Sequence, residues 1–147
     1  MRVTILAIGH KMPAWIQEGF HEYARRMPPE VRVELVEIKP DRTKADEARR
    51  MLDALPEGAT LLALDERGKA VSTLGLSVML SAWMRDGTHP VFAIGGADGL
   101  GDALKQRADK VLSLSALTLP HQLVRVVVAE QLYRAWTILA HHPYHRE

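Results

Sequence analysis

Three stretches of the chain combine residue types that can do chemistry. The first runs from Val111 to Arg125, V-L-S-L-S-A-L-T-L-P-H-Q-L-V-R. Ser113, Ser115 and Thr118 supply hydroxyls, and Leu114, Leu117 and Leu119 supply apolar surface. Pro120 stands where a first helical turn tolerates a residue without an N–H. A strand-to-helix loop of this kind leaves backbone N–H and C=O groups free at a helix N-terminus. That suits a small ligand with an apolar body and a polar edge, although an ordinary turn is built the same way. The second stretch is Gly95-Gly96-Ala97-Asp98-Gly99-Leu100-Gly101, directly after an apolar, strand-like run. It has neither G-x-G-x-x-G spacing nor the Lys-Ser/Thr of a P-loop, so it specifies no dinucleotide or triphosphate. Its glycines answer either to a tight turn or to a ligand loop. The third is the tail His141-His142-Pro143-Tyr144-His145-Arg146-Glu147. An aromatic to stack on a base, an arginine for phosphate and an imidazole for proton handling suit RNA. A metal reading of these histidines fails: Pro143 interrupts the helical spacing, and no cysteine or nearby aspartate completes a ligand set.

Composition bounds what these stretches can belong to. A chain of 147 residues suits one domain, 1–147, with a sizeable core, and 47% hydrophobic with 25% charged residues describes a soluble globular protein. The absence of cysteine excludes disulfides, thiolate metal sites and cysteine nucleophiles. The apolar start, Val3 to Ile8, is short for a signal-peptide core, and no run approaches membrane-span length. A cytoplasmic location without membrane contact is expected. A net charge of +1 and a pI near 8.1 do not by themselves announce a nucleic-acid binder.

The elements that must position these stretches alternate along the chain. Arg2 to Ile8 reads as a strand buried on both faces. Pro13 opens a helix with apolar positions Ile16, Phe20, Tyr23 and Met27, ended by Pro28-Pro29. Val31 to about Ile38 is a second strand, Lys39 to Lys44 a surface connection, and Ala45 to Leu55 a helix stopped by Pro56 and Gly58. Thr60 to Leu64 is a third strand, ending in Asp65-Glu66-Arg67-Gly68-Lys69. Ser72 or Thr73 caps a helix with the stripe Leu76, Met79, Leu80 and Trp83, closed by Asp86-Gly87. Val91 to Ile94 is a fourth strand, followed by the glycine loop and a short helix to about Ala108. Lys110 to Ser113 is a fifth strand, and Pro120 to His141 the longest helix. This order predicts an α/β fold with a mainly parallel sheet and helices on both faces.

The last helix carries its own signal. Glu130, Arg134 and Thr137 share one narrow side, with Glu130 and Arg134 spaced as an i, i+4 pair. Nearly all the rest is apolar, which predicts cover from a second subunit as well as from the sheet. Arg125 falls on roughly the opposite side, among His121, Ala129, Leu132 and Trp136. A guanidinium on a covered face needs an anion or carbonyl, or else a structural ion pair.

With these residues in hand, the chain resembles the ribosomal RNA large-subunit methyltransferase H family of the SPOUT, or trefoil-knotted, class. The resemblance is carried by V-T-I-L-A-I-G-H-K-M, V-F-A-I-G-G-A-D-G-L, L-S-L-S-A-L-T-L-P-H-Q-L-V-R-V, A-E-Q-L-Y-R-A-W and H-P-Y-H-R-E, and it spans essentially the whole chain. It implies a C-terminal deep trefoil knot, which pattern reasoning would not propose because knots are nearly absent from folds. It also implies a homodimer and S-adenosylmethionine bound in the knot loops. Carried over residue by residue, the cofactor contacts are Leu64, Gly95, Leu114, Ser115, Ala116, Leu117, Thr118 and Leu119, with Gly95 allowing close approach. No metal is implied.

The implied substrate is a pseudouridine of 23S rRNA in the helix reaching the decoding region, methylated at N3 in the assembled 70S ribosome. N3 is a poor nucleophile while protonated. Tyr144, His145 and Arg146 are accordingly the candidates for base contact, proton removal and stabilisation of the developing anion, with a neutral His145 as the base. Two other readings fit the residues: a non-catalytic ribosome-associated binding protein, and a nucleotide-binding α/β protein using Gly95 to Gly101 for phosphate.

Overall fold

A computed structural model describes residues 1–145. The strands β1 (Arg2–Ile8), β2 (Arg32–Ile38), β3 (Thr60–Ala70), β4 (Pro90–Ile94) and β5 (Lys110–Ser113) form one sheet in the order β2-β1-β4-β3-β5, and every pairing is parallel. Five helices connect and cover them: α1 (Ala14–Ala24), α2 (Lys44–Ala54), α3 (Thr73–Asp86), α4 (Asp102–Arg107) and α5 (His121–Leu139). Strand alternation divides the core in two. Val3, Ile5 and Ala7 of β1 face Phe20 of α1, Leu80 and Trp83 of α3, and Val128 and Leu132 of α5. Leu6 and Ile8 face Ala48 and Met51 of α2 and Leu104 of α4. Residues 3–8 are at most 4% exposed, as expected of a central parallel strand covered on both faces.

Local chemistry sets the helix ends. Thr43 caps α2, its hydroxyl accepting the Asp46 N–H at 3.1 Å, so the helix begins at Lys44 and not at Ala45. Ser72 caps α3 through the Gly75 N–H at 2.9 Å, and Gly87 closes that helix in the left-handed conformation with φ 67°. Helix α1 stops at Ala24, short of the expected Met27. Met27 lies in the following turn, and its side chain still packs on the core. Helix α5 runs from His121 to Leu139, with Pro120 as its N-terminal boundary.

The third strand departs most from expectation. It does not end at Leu64 but continues to Ala70. Leu62 to Leu64 pair with Lys110 to Leu112. The register then jumps, and Lys69 and Ala70 pair with Leu112 and Ser113. Residues 65–68 bulge out between the two ladders. Asp65 shapes the bulge by accepting the Arg67 N–H at 2.8 Å. Gly68 lets the strand return: a Cβ there would lie 2.7 Å from both the carbonyl carbon and oxygen of Val111.

Arg125 resolves as an ion pair within the chain. It is 1% exposed, and its Nη1 donates to Glu37 Oε2 of β2 at 2.8 Å, while its Nε is buried without a partner. Removing one partner of a buried pair costs up to about 3–5 kcal/mol, and the 36% exposure of Glu37 places this pair below that ceiling.

The bulge gives a prediction. Gly68→Ala forces backbone apart and should lower unfolding stability by about 1–3 kcal/mol, as overpacking does. Denaturant unfolding checks it, and an unchanged midpoint would show that β3 and β5 are not in backbone contact there.

Candidate functional site

In a parallel sheet all strands end on the same edge, and the loops that follow them collect there. Here the β3 bulge, the β4–α4 loop (95–101) and the β5–α5 loop (114–120) enclose a cavity of about 610 Å³. That is the size range of sites for small ligands. Leu64, Gly95, Leu114, Ser115, Leu117, Thr118 and Leu119 all line it. Of the residues expected to hold a cofactor, Ala116 alone stands outside the lining, and it is exposed. His121 and Val124 bring the first turn of α5 to the rim.

Hydrogen bonds fix the loops against one another. The Leu117 N–H donates to Ser115 Oγ at 2.8 Å, closing a small turn, and Ser113 Oγ donates to the Ser115 carbonyl at 3.1 Å. Thr118 Oγ1 donates to Glu66 Oε2 at 3.0 Å, which ties the β5–α5 loop to the bulge. Lys105 of α4 reaches Asp65 at 3.3 Å, tying in the third loop. The Arg67 N–H first, and Lys105 after it, hold the Asp65 carboxyl below the usual carboxylate range.

Gly95 has a role within its own loop as well as a place in the lining. A Cβ on it would lie 2.5 Å from the Gly99 carbonyl carbon and 2.8 Å from the Leu100 nitrogen. The close approach it permits is of the loop to itself. The turn is completed by the Gly99 N–H donating to the Gly96 carbonyl at 3.0 Å, with Gly99 at φ 81°. Asp65, Glu66, Arg67, Lys44, Asp98 and Lys105 also line the cavity, and residue types alone did not single them out. The available signal was the run Asp65 to Lys69, which reads as the end of a strand because its bulge exists only against β5.

The tail candidates lie elsewhere. Tyr144 folds back on α5, where its hydroxyl donates to Glu130 Oε2 at 2.8 Å. Its ring meets Tyr133 edge-on at 4.6 Å, and the Arg134 guanidinium lies 5.0 Å from its centroid. The expected Glu130–Arg134 pair forms at 2.8 Å. His145 Nδ1 lies 3.3 Å from Thr137 Oγ1. Arg146 lies outside the described residues. Glu130 is about 14 Å along the helix axis from His121 at the cavity rim, and neither Tyr144 nor His145 lines the cavity. One chain therefore holds the two halves of the expected site apart.

Known proteins resemble this chain in sequence and in fold. The family described as "Predicted SPOUT methyltransferase" matches residues 1–145. The ribosomal RNA large subunit methyltransferase H of Ralstonia pickettii is 56% identical over 155 aligned positions, covering 99% of each chain. A probable methylase family protein from Haemophilus influenzae has a similar fold, with a TM-score of 0.61 at 12% identity, covering 99% of this chain and 70% of that one. The SpoU methyltransferase AviRb of Streptomyces viridochromogenes, solved in complex with AdoMet, gives a TM-score of 0.50 at 14% identity over 89% of this chain and 56% of that one.

The tail contact predicts a titration. Burial first, and the bond to Glu130 second, push the Tyr144 phenol up to about 12. Because the folded value is raised, the contribution of the docked tail is complete below the ordinary tyrosine range and is lost as pH rises through about 12. Glu130→Gln should move the midpoint down without restoring the ordinary value, since burial remains. Ultraviolet phenolate titration against a Tyr144→Phe reference checks this, and an unmoved midpoint would show the tail detached from α5.

Proposed function

Since the chain belongs to the SPOUT methyltransferases of the ribosomal RNA large subunit methyltransferase H family, and is thus an rRNA methyltransferase, we propose that it transfers a methyl group from S-adenosylmethionine to N3 of a pseudouridine in the decoding-centre helix of 23S rRNA. It acts, on this reading, as a single-domain cytoplasmic enzyme on assembled 70S ribosomes. Among the described residues, no helix is long and apolar enough to cross a membrane. The observation that carries the reading is the convergence of three strand-end loops on one cavity of about 610 Å³.

The cavity suits this cofactor on chemical grounds. Leu64, Leu114, Leu117 and Leu119 give apolar walls for the adenosine, and the backbone of the β5–α5 loop offers donors and acceptors to the adenine edge. Asp98, the lining carboxylate not engaged by a side chain of its own chain, would face the positive charge of a bound sulfonium. The bound cofactor supplies an electrophilic methyl group. The chain's part is to align it with N3, a positioning effect worth up to roughly 7–11 kcal/mol in model reactions. Tyr144 then contacts the base, His145 takes the N3 proton, and Arg146 stabilises the developing anion. We read the connection through β5 and α5 as a deep trefoil knot. The class supports this reading.

Two subunits reconcile the divided site. Trp15 (60% exposed), Leu74 (52%) and Val78 (68%) are large apolar side chains left in solvent on the helices that flank α5. Covering them in a homodimer removes that exposure. If two α5 helices cross antiparallel near Glu130, Thr137 of one comes opposite the first turn of the other, which borders the cavity. Each tail then serves the partner's cofactor site.

Labelled S-adenosylmethionine and 70S ribosomes lacking the modification test the reaction. Transfer to the 23S pseudouridine is expected. Efficient methylation of a short naked hairpin is not expected, because on this reading the substrate surface is completed only in the assembled ribosome. Ribosome binding without transfer, or titration by NAD or ATP in place of S-adenosylmethionine, would contradict the reading. The shared site has its own test. Gly95→Val would break the loop itself, so the cofactor-blocking variant is Leu117→Arg, at an exposed lining residue. Mixed with a chain truncated after Pro143, it should regain activity through one intact site per heterodimer. A mixture that stays inactive despite confirmed subunit exchange would place the tail on its own subunit.

A further inference from the structure

The small net charge conceals a segregated one. Lys11, Lys39, Arg42, Lys44 and Arg67 are exposed and have no carboxylate within ion-pair distance among the described residues. Lys11, Lys39, Arg42 and Lys44 sit in loops or at a helix start that follow the C-terminal ends of β1 and β2, and Arg67 sits in the β3 bulge that lines the cavity on the same edge. Contacts make them neighbours. The Gly9 N–H donates to the Ile38 carbonyl at 2.8 Å, which sets the loop carrying Lys11 beside the turn carrying Lys39. The Lys44 carbonyl would lie 2.6 Å from a Cβ on Gly101, so the start of α2 abuts the β4–α4 loop. Lys44 and Arg67 line the cavity itself.

The carboxylates on this edge are largely engaged. Glu37 pairs with Arg125 at 2.8 Å, Asp41 with Arg50 at 2.7 Å and Asp65 with Lys105 at 3.3 Å. Glu47 is buried and accepts the Asp41 N–H, and Glu66 accepts the Thr118 hydroxyl. Asp98 remains at the cavity mouth. Away from this edge several cations are neutralised, as Arg25 and Arg26 are by Glu22, Arg85 by Asp86 and Arg107 by Asp109. Among the described residues, the other cations without an acidic partner are Arg32 and Lys110, which begin β2 and β5 at the opposite edge, and Lys69, which follows the bulge in β3.

We propose that this edge is the track on which the RNA backbone lies: Lys11, Lys39 and Arg42 hold phosphates beside the target nucleotide, and Lys44 and Arg67 hold the strand at the cavity mouth. The inference rests on the methyltransferase reading and adds to it the surface that presents the substrate. A polyanion gains from unpaired, solvent-exposed cations spaced along a line, because each contact releases a counterion, whereas cations already paired with carboxylates release little.

The test compares two variants with equal loss of charge. One carries Lys11→Gln, Lys39→Gln and Arg42→Gln; the other carries Arg32→Gln, Arg85→Gln and Arg107→Gln. Both should bind S-adenosylmethionine as the parent does, since none of these side chains lines the cavity. In the first, the slope of log affinity for 70S ribosomes on log salt should fall by about 2 to 3. The KM for ribosomes should rise roughly tenfold or more at near-constant kcat. The second should match the parent. Lys39→Glu alone should act in the same direction, should the triple variant fold poorly. Equal losses in the two triples, or an unchanged slope in the first, would overturn the track. A parent protein that shows the salt dependence and transfers no methyl group would overturn the reaction and leave the track standing.

Discussion

No side chain fits between β3 and β5 where the strand resumes after its bulge. A Cβ on Gly68 would lie within 2.8 Å of three backbone atoms of Val111 and Leu112, and one on Gly95 would meet Gly99 and Leu100 as closely. These backbone-on-backbone contacts are the constraint on which the cavity depends. They let β3 pair with β5 twice, in two registers, and so let residues 65–68 swing out as one wall. They also let the β4–α4 loop fold flat enough to leave the space empty. Only after that do side chains matter, as Thr118 bonds Glu66 and Lys105 bonds Asp65 to hold the walls together.

The parallel sheet then decides what the cavity can meet. Every strand points to the same edge, so the loops of β1 and β2 bring their cations to the place where β3, β4 and β5 bring the lining. Helix α5 links this edge to the tail. Its first turn borders the cavity, and Glu130, Arg134 and Thr137 further along hold Tyr144 and His145. A helix of this length cannot bring its own tail to its own first turn while those bonds are kept. The same physical fact therefore favours a second subunit and explains why a long, largely apolar helix with flanking Trp15, Leu74 and Val78 is useful.

What was legible in the sequence was local. The continuously apolar run of β1, a cap at Ser72 or Thr73, Gly87 as a helix stop and the strand–loop–helix at Val111 to Arg125 each depend on residues within a few positions, and each is found, the cap being Ser72. The seven cavity-lining residues named from the family resemblance follow from local motifs as well. What depends on distant partners was not legible. Asp65 to Lys69 looks like a terminus because the need for Gly68 is set by Val111. Arg125 announced a partner without naming Glu37, since nothing in the sequence says that its side chain reaches the end of β2. The charge of the whole chain hid its distribution, because loop order in space follows strand order, and strand order is a tertiary property.

The central claim is that the three strand-end loops form one cofactor site. Amide hydrogen exchange with and without S-adenosylmethionine tests it most directly, since a ligand seated in the cavity would slow exchange in the loops that line it. The account predicts slowed exchange in residues 64–68, 95–101 and 114–120 together, with the N-terminal edge of the sheet unchanged. Protection of the 95–101 loop alone, or of segments remote from the cavity, would contradict it.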